Sequence, residues 1–369
     1  MELVTNMNNI KLRNKEKALQ FVLKLPGNGC NLDCNYCFEQ QKDVKKGFLS
    51  IKQLDNLFCK TTSHIVVIFH GGEPLIVGIE RFAQILELVR WYKDRVDGVF
   101  LQTNGTLLNN EWINLIFMEY ADLHIEIALS LDGSRSMNHL RVDKEGGDTF
   151  SRVIEAYNLL NEHHVAAGML SVVSRHSLNR YDEYVRQLKE IDNLKFVKLN
   201  ALFNVENNCL TLDSISPIEY AEYVIHVSEL YIQERLYKKF PLEPFLSILQ
   251  NVRGKTARYC NYIDDKCLNF ISVYPGGKLG PCDCLPLDDF SIDFSTNDTS
   301  LEESMDKAGG SEGFEILHKL CRSCDACAIQ NFCHAGCLAQ RYYFRNNSRL
   351  LDDFCRAKFL LYEFGKAFV

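Results

Sequence analysis

Three cysteines stand close together in Cys30-Asn31-Leu32-Asp33-Cys34-Asn35-Tyr36-Cys37, with the spacing C-x3-C-x2-C. Thiolates are soft ligands that suit zinc and iron–sulfur clusters. Structural zinc takes four protein ligands, usually as two pairs. Here three are offered and no fourth is obvious nearby. Three ligands on a four-iron cluster would leave one iron open, and an open metal position can bind a small molecule. A second concentration lies at the far end, where ten of the fifteen cysteines fall between Cys260 and Cys355. Only Cys59 and Cys209 lie between the groups, and both read as structural cysteines.

The composition frames this chemistry. The chain has 369 residues, 46% hydrophobic and 24% charged, with a net charge of -7. These values exclude disorder, collagen and coiled coil as the main class, and the length suggests two or three structural units. The negative charge argues against nucleic acid or an anionic membrane as a partner. No apolar run approaches a membrane span, and the N-terminal stretch lacks the apolar core of a signal peptide. A cytoplasmic, reducing compartment is therefore expected. There an odd, clustered set of thiols points to metal rather than to disulfides.

The elements that must position the first cysteines alternate. Strand-like runs occur at Ala18–Leu25, His64–His70, Val99–Thr103, Leu123–Ser130, Val165–Val173 and Lys195–Leu202. Helical patterns lie between them, such as Ile79–Lys93 and Phe150–His163. Ser50 with Gln53 reads as a capping box, and Ser216-Pro217-Ile218-Glu219 as a strong helix start, with a helix expected to about Lys238. Six β-then-α units imply a parallel sheet. The expected class is α/β, a partial (β/α)6 TIM-type barrel followed by a cysteine-rich domain. A doubly wound open sheet is the alternative. The expected divisions are an N-terminal segment at 1–17, the barrel at 18–240, a linker at 241–258 and the cysteine-rich domain at 259–369. Phe294–Gly310 reads as a polar loop plus a short helix. The first cysteine cluster follows the first strand, at the mouth where barrel active sites are built.

Other motifs also end strands. Gly71-Gly72-Glu73-Pro74 follows the second, Gln102-Thr103-Asn104-Gly105 the third, and Ser130-Leu131-Asp132-Gly133 the fourth, with Arg141 shortly after. Glycines let a backbone approach a ligand closely, and a carboxylate can accept from an ammonium group. Together these motifs resemble those of the radical S-adenosylmethionine (radical SAM) superfamily. The resemblance implies a SAM-binding four-iron cluster on Cys30, Cys34 and Cys37. It places Gly71, Gly72, Glu73 and Asn104 on SAM, Ser130 and Arg141 on its carboxylate, and Tyr36 and Leu202 beside the adenine.

The later cysteines resemble the seven-cysteine SPASM extension: Cys267, Gly277 and Cys282, then Cys324-x2-Cys327-x5-Cys333-x3-Cys337, then Cys355. Cys260 supplies an eighth ligand. By this pattern Cys260, Cys267, Cys282 and Cys337 hold one auxiliary four-iron cluster, and Cys324, Cys327, Cys333 and Cys355 a second. Cys284 and Cys321 are spare and can displace a neighbour. Structural zinc is the alternative, and an iron count of about twelve per chain would mark three four-iron clusters. Such clusters would contribute folding energy to a region with a thin core, or carry electrons.

The resemblance further implies reductive cleavage of SAM by an outside electron donor, of flavodoxin or ferredoxin type. The resulting radical abstracts hydrogen from a peptide or protein side chain. Asp283 matches the base of sulfatase-maturating relatives, and His70 lines the pocket. The sulfatase group usually carries Gln where His70 stands and an aromatic residue where Glu39 stands. His-Gly-Gly-Glu-Pro-Leu looks more like maturases of ribosomally made peptides (RiPPs) that crosslink aromatic side chains. A crosslinking maturase acting on a precursor peptide is therefore the preferred expectation. An anaerobic sulfatase-maturating enzyme, oxidising Cys or Ser to formylglycine, is the alternative. A non-catalytic iron–sulfur electron carrier is a distant third. No segment long enough for a winged-helix peptide-recognition domain precedes the first strand. A leader peptide is thus expected on the barrel, on the cysteine-rich domain or on a separate protein.

Overall fold

The computed structural model describes residues 6–7, 10–264, 266–294 and 300–369. The six expected strands all form: β1 Leu19–Lys24, β2 Ile65–His70, β3 Val96–Thr103, β4 Glu126–Ser130, β5 Ala167–Val173 and β6 Leu194–Ala201. They pair in chain order and in parallel. Ile65-Val66-Val67-Ile68-Phe69 shows why: β-branched and aromatic residues suit a strand that packs on both faces. Sequential order has no reversal point, so the sheet is not doubly wound. The barrel stays open because β6 does not pair with β1.

A helix or helical turn follows each strand: α1 Ile51–Cys59, α2 Ile79–Trp91, α3 Asn110–Ile113 (continued by a π-helical stretch to Glu119), α4 Phe150–Glu162, α5 Tyr181–Glu190 and α6 Pro217–Gln233. Ser50 caps α1 and Ser216 caps α6, both in full capping boxes. Helix α6 ends before the expected Lys238. Arg235 takes a left-handed conformation, φ 56°, and a 3-10 turn at Leu236–Lys238 closes the chain. Phe21, Phe69, Leu101, Leu129, Met169 and Val197 are fully buried in the continuous core.

The sheet runs beyond the six units. Residues 241–258, expected as a linker, carry β7 Leu242–Glu243, parallel to β6, and α7 Phe245–Val252. On the other side, β8 Phe270–Val273 pairs in parallel with β1, and β9 Leu279–Gly280 pairs back on β8. The cysteine-rich region thus contributes strands to the nine-stranded sheet. Its helices are α8 Leu301–Ala308, α9 Glu312–Cys321, α10 Gln330–Cys333, α11 Leu338–Phe344 and α12 Ser348–Lys366. Helix α12 packs on α6 and α7. Arg13, from the N-terminal segment, is buried and bonds Asp306 of α8 at 3.1 Å. Of the loop expected after Phe294, residues 295–299 lie outside the described residues, and α8 is the short helix of that expectation. No described helix is long and apolar enough to cross a membrane.

Candidate active site

The loop bearing Cys30, Cys34 and Cys37 leaves the C-terminal end of β1. It is clamped to the loop after β2 through backbone. Gly72 N–H donates to the Gly27 carbonyl at 3.0 Å and Glu73 N–H to the Gly29 carbonyl at 2.9 Å. A Cβ on Gly72 would stand 1.8 Å from the Gly29 oxygen, and Gly71 has φ +122°. Glycine is required at both positions, sterically at the first and conformationally at the second.

Glu73 is fully buried. Its carboxylate accepts from Leu75 N–H at 3.1 Å, the Thr103 hydroxyl at 2.7 Å and Asn104 N–H at 2.7 Å. Burial pushes its pKa up to about 7. The side chain therefore braces the loops after β2 and β3, with most of its acceptor capacity used within the chain. Asn104 donates to Asn31 Oδ1 at 2.9 Å and stands 3.8 Å from Cys30 Sγ. Cys30, Cys34 and Cys37 are half-buried free thiols. Burial pushes Cys30 up to about 12 and raises Cys34 as well. Coordination deprotonates a thiol outright, so three neighbouring thiols on one loop fit a metal cluster better than a set of free thiolates.

A second arrangement lies across the loop. The Tyr36 hydroxyl donates to Asp132 Oδ2 at 2.5 Å, and Arg141 Nη1 donates to Tyr36 at 2.7 Å. Asp132 and Arg141 are buried and Tyr36 is half-buried. Arg141 Nε is buried with no partner among the described residues, a donor suited to an anionic ligand such as a carboxylate. Ser130 ends β4, half-buried. Leu202 is held by its own backbone, its N–H on the Val173 carbonyl and its carbonyl accepting from Ile215 N–H. These residues all follow or end strands at the C-terminal side of the barrel sheet.

A buried charge cluster adjoins it. Lys24, the last residue of β1, is fully buried. Its Nζ lies 2.8 Å from Asp283 Oδ2, 3.0 Å from Glu39 Oε1 and 3.1 Å from His70 Nδ1. Lys42 contacts Glu39 and donates to the Asp283 carbonyl at 2.7 Å and to the Tyr274 hydroxyl at 2.9 Å. Burial opposes charge on Asp283, but Lys24, His70 and Lys42 together more than offset it, Lys24 most of all, and hold the carboxyl far below the usual range. Gly71 N–H donates to His70 Nδ1 at 2.7 Å, so the ring proton sits on Nε2. Burial and the adjacent Lys24 keep this histidine neutral, pushed down to about 4. Glu39 Oε2 is buried without a partner among the described residues.

The ten later cysteines form two groups. The Cys282 thiol meets those of Cys267 and Cys284, and Cys337 faces Cys284 and Cys260. Asp283 lies between Cys282 and Cys284, the three ligand atoms within 4.8 Å of one another. In the other group, Cys321 meets Cys324, Cys333 faces Cys324, and Cys327 N–H donates to the Cys324 carbonyl. Cys355 joins it through Arg341, which contacts Cys324 and Cys355. The donor set is soft sulfur, four of the ten thiols buried, five half-buried and Cys355 exposed, and such a set fits iron–sulfur clusters. Cys59 and Cys209 are exposed and stand apart from the expected ligand set. Sequence reading missed Lys24, Lys42, Tyr274 and Arg341. Only Lys24 carried a signal, as a charge inside an apolar strand run.

A parallel partial barrel with three thiols at its mouth, clamped by a glycine pair and a buried glutamate, defines a radical SAM enzyme. The radical SAM superfamily model matches residues 25–197, and the chain is an enzyme of this class, using SAM and the associated four-iron cluster. It is related to the anaerobic sulfatase-maturating enzymes. The cysteine-type enzyme of Clostridium perfringens is 25% identical over 362 residues, covering 94% of this chain and 96% of its own. The serine-type enzyme of Bacteroides thetaiotaomicron is 24% identical over 353 residues, covering 88% of this chain and 84% of its own. The structure titled native anSMEcpe with bound AdoMet superposes with a TM-score of 0.80 at 25% identity, over 95% of this chain and 97% of that one. SuiB of Streptococcus suis, solved with S-adenosylmethionine, shares the fold, with a TM-score of 0.59 at 14% identity, over 88% of this chain and 74% of that one. The cysteine-rich C-terminal region is consistent with a SPASM domain.

Proposed function

We propose that this radical SAM enzyme modifies a ribosomally made precursor peptide, joining two of its side chains by a carbon–carbon or ether bond of the cyclophane type. Cys30, Cys34 and Cys37 would hold the first cluster. Gly71, Gly72, Glu73, Asn104, Ser130, Arg141, Tyr36 and Leu202 would surround SAM. Residues 18–240 would serve the radical chemistry and 259–369 the auxiliary clusters. Cys260, Cys267, Cys282 and Cys337 would hold one of these, and Cys324, Cys327, Cys333 and Cys355 the other. Bound SAM and its cluster supply a one-electron cleavage able to remove a hydrogen atom from an unactivated carbon. The electron for it would come from a flavodoxin- or ferredoxin-type donor.

The observation that carries this reading is the Lys24–Asp283 pair with Glu39 and His70 upon it. Asp283 is the expected base, and Lys24 makes it a weak one. A weak base takes a proton readily only from a strong acid. An aromatic ring that has accepted a carbon radical and then lost an electron is a strong acid. It restores its aromaticity by giving one proton to such a carboxylate. The peptide then loses two hydrogens for each new bond. Glu39 Oε2 supplies a buried acceptor for the ring's N–H or O–H.

The whole-length similarity to cysteine-type sulfatase-maturating enzymes supports a second reading, oxidation of Cys or Ser to formylglycine. Anaerobic reconstituted enzyme, SAM and a reductant should be incubated in parallel with a sulfatase-motif peptide and with aromatic-rich precursor peptides. The crosslinking reading expects loss of two hydrogens from a precursor, with no aldehyde. A hydrazide-reactive aldehyde on the sulfatase motif would overturn it.

A further inference from the structure

The cysteine-rich region buries three cations. Arg341 and Lys266 are each 3% exposed and Lys358 is 6% exposed. Arg341 Nη2 lies 3.4 Å from Cys324 Sγ and 3.8 Å from Cys355 Sγ, while its Nε donates to the Ala335 carbonyl at 2.6 Å. Lys266 Nζ donates to the Cys260 carbonyl at 2.9 Å. Lys358 Nζ stands 4.4 Å over the Tyr262 ring and 5.5 Å over that of Phe354. The charged groups that act most on all three are thiols and one another, not carboxylates.

Buried charge is strongly unfavourable without a counter-charge. Neutral thiols provide none, whereas a four-iron cluster on four thiolates is an anion. The placement is also specific. Lys266 faces Cys260, Cys267 and Cys337 of one group and Cys333 of the other. Lys358 likewise faces Cys333 and Cys337. Both lysines therefore sit where the two groups of cysteines approach each other. Arg341 cannot lose its proton, so its charge is permanent.

We propose that Arg341, Lys266 and Lys358 form a cationic bridge between two auxiliary iron–sulfur clusters and raise their reduction potentials. This rests on the reading that the ten cysteines hold two such clusters. Each electron a cluster accepts adds one negative charge. Nearby buried cations favour that state through Coulomb attraction, which is strong at low dielectric. Hydrogen bonds to cluster sulfurs act in the same direction, and cluster charge and burial are established determinants of potential. The electron accepted would be the one released when the peptide radical is oxidised, so electron count balances. The three cations are positioning residues, acting on the peptide through the clusters.

The test uses the full chain with Cys30, Cys34 and Cys37 replaced by alanine, so that only auxiliary clusters contribute signal. Iron and sulfide are counted first, and the midpoint is then followed by electron paramagnetic resonance during anaerobic redox titration. About eight irons are expected. Arg341→Gln should lower the midpoint by at least the equivalent of a tenfold change in the reduced-to-oxidised ratio, about 59 mV for one electron. Arg341→Lys, which keeps the charge, should stay near the parent. If Arg341→Gln loses iron, Lys358→Met compared with Lys358→Arg supplies the same contrast. Full iron with an unmoved midpoint in the charge-removing variants overturns the proposal. A parent that holds zinc in place of iron overturns the cluster reading, and this inference with it.

Discussion

Lys24 Nζ lies 2.8 Å from the Asp283 carboxylate, although 259 residues separate the two in the chain. The sheet explains the meeting. Strand β8 lies beside β1 with Val273 opposite Leu23, and β9 then returns the chain to Cys282 and Asp283. The last residue of the first barrel strand thereby faces the turn that follows β9. The pair links the candidate SAM site to the later cysteines, and it lowers the basicity of Asp283.

Breaking this pair should cost more than removing it. Lys24→Met leaves Asp283 and Glu39 buried with less counter-charge, and should destabilise the fold by about 3–5 kcal/mol. The double variant Lys24→Met/Asp283→Leu should recover much of that loss. Urea midpoints measured anaerobically on matched, iron-loaded samples would decide. A double variant as unstable as the sum of the singles would show that the two do not act as a pair.

His70 should give stability a distinct pH dependence. Its pKa falls from 6.5 to about 4 on folding. Between those values the unfolded chain binds more protons than the folded one, so stability rises with pH. The contribution is present above 6.5 and is lost as pH falls toward 4, by up to about 3 kcal/mol. Lys24, Lys42, Glu39 and Asp283 surround the ring and carry charges of both signs. The difference curve against His70→Gln isolates the histidine. A flat difference between pH 4 and 6.5 would contradict the assignment.

Gly72→Ala places a methyl 1.8 Å from the Gly29 oxygen. The backbone clamp must open and move the Cys30 loop. A displacement of this order should cut 5'-deoxyadenosine formation by about a hundredfold. Bound iron should fall by about one four-iron cluster. Gly47→Ala is the control for backbone strain without a clash, since no atom lies within 4 Å of its Cβ position although its φ is +116°. A Gly72→Ala protein with full iron and full SAM cleavage would refute the clamp.

Tyr36→Phe removes the hydroxyl that joins Arg141 to Asp132. Two buried charged groups then lose a partner, at about 1–3 kcal/mol. The SAM dissociation constant should rise about tenfold or more, measured by equilibrium dialysis, with the cluster retained. Unchanged affinity would separate Tyr36 from the SAM site.

Much of this arrangement was legible locally. The six strands came from runs such as Ile65–Phe69, and the starts of α1 and α6 from Ser50 with Gln53 and Ser216 with Glu219. The cysteine spacings and the strand-end motifs identified the class of chemistry, because ligand type and local spacing are written in sequence. The need for glycine at 72 was also visible as a motif, though its cause was not. The cause is a backbone approach between two loops.

Other features depended on contacts between distant segments. Residues 241–258 read as a linker because Pro241 and Pro244 break a helix, yet their neighbours form β7 and α7. Lys24 is a charge inside an apolar strand run, but nothing local names residue 283 as its partner. Arg341 lies on α11, and only the packing of that helix brings it to Cys324 and Cys355. The sequence by itself therefore determined the strands, the caps, the thiol spacings and the radical SAM chemistry. The strands, caps and spacings are set by periodicity or side-chain chemistry within a short window, and the radical SAM chemistry follows from the resemblance those motifs carry. Only the tertiary structure decided which charges meet which, because β-sheet pairing and helix packing join segments whose separation in sequence carries no record of their contact.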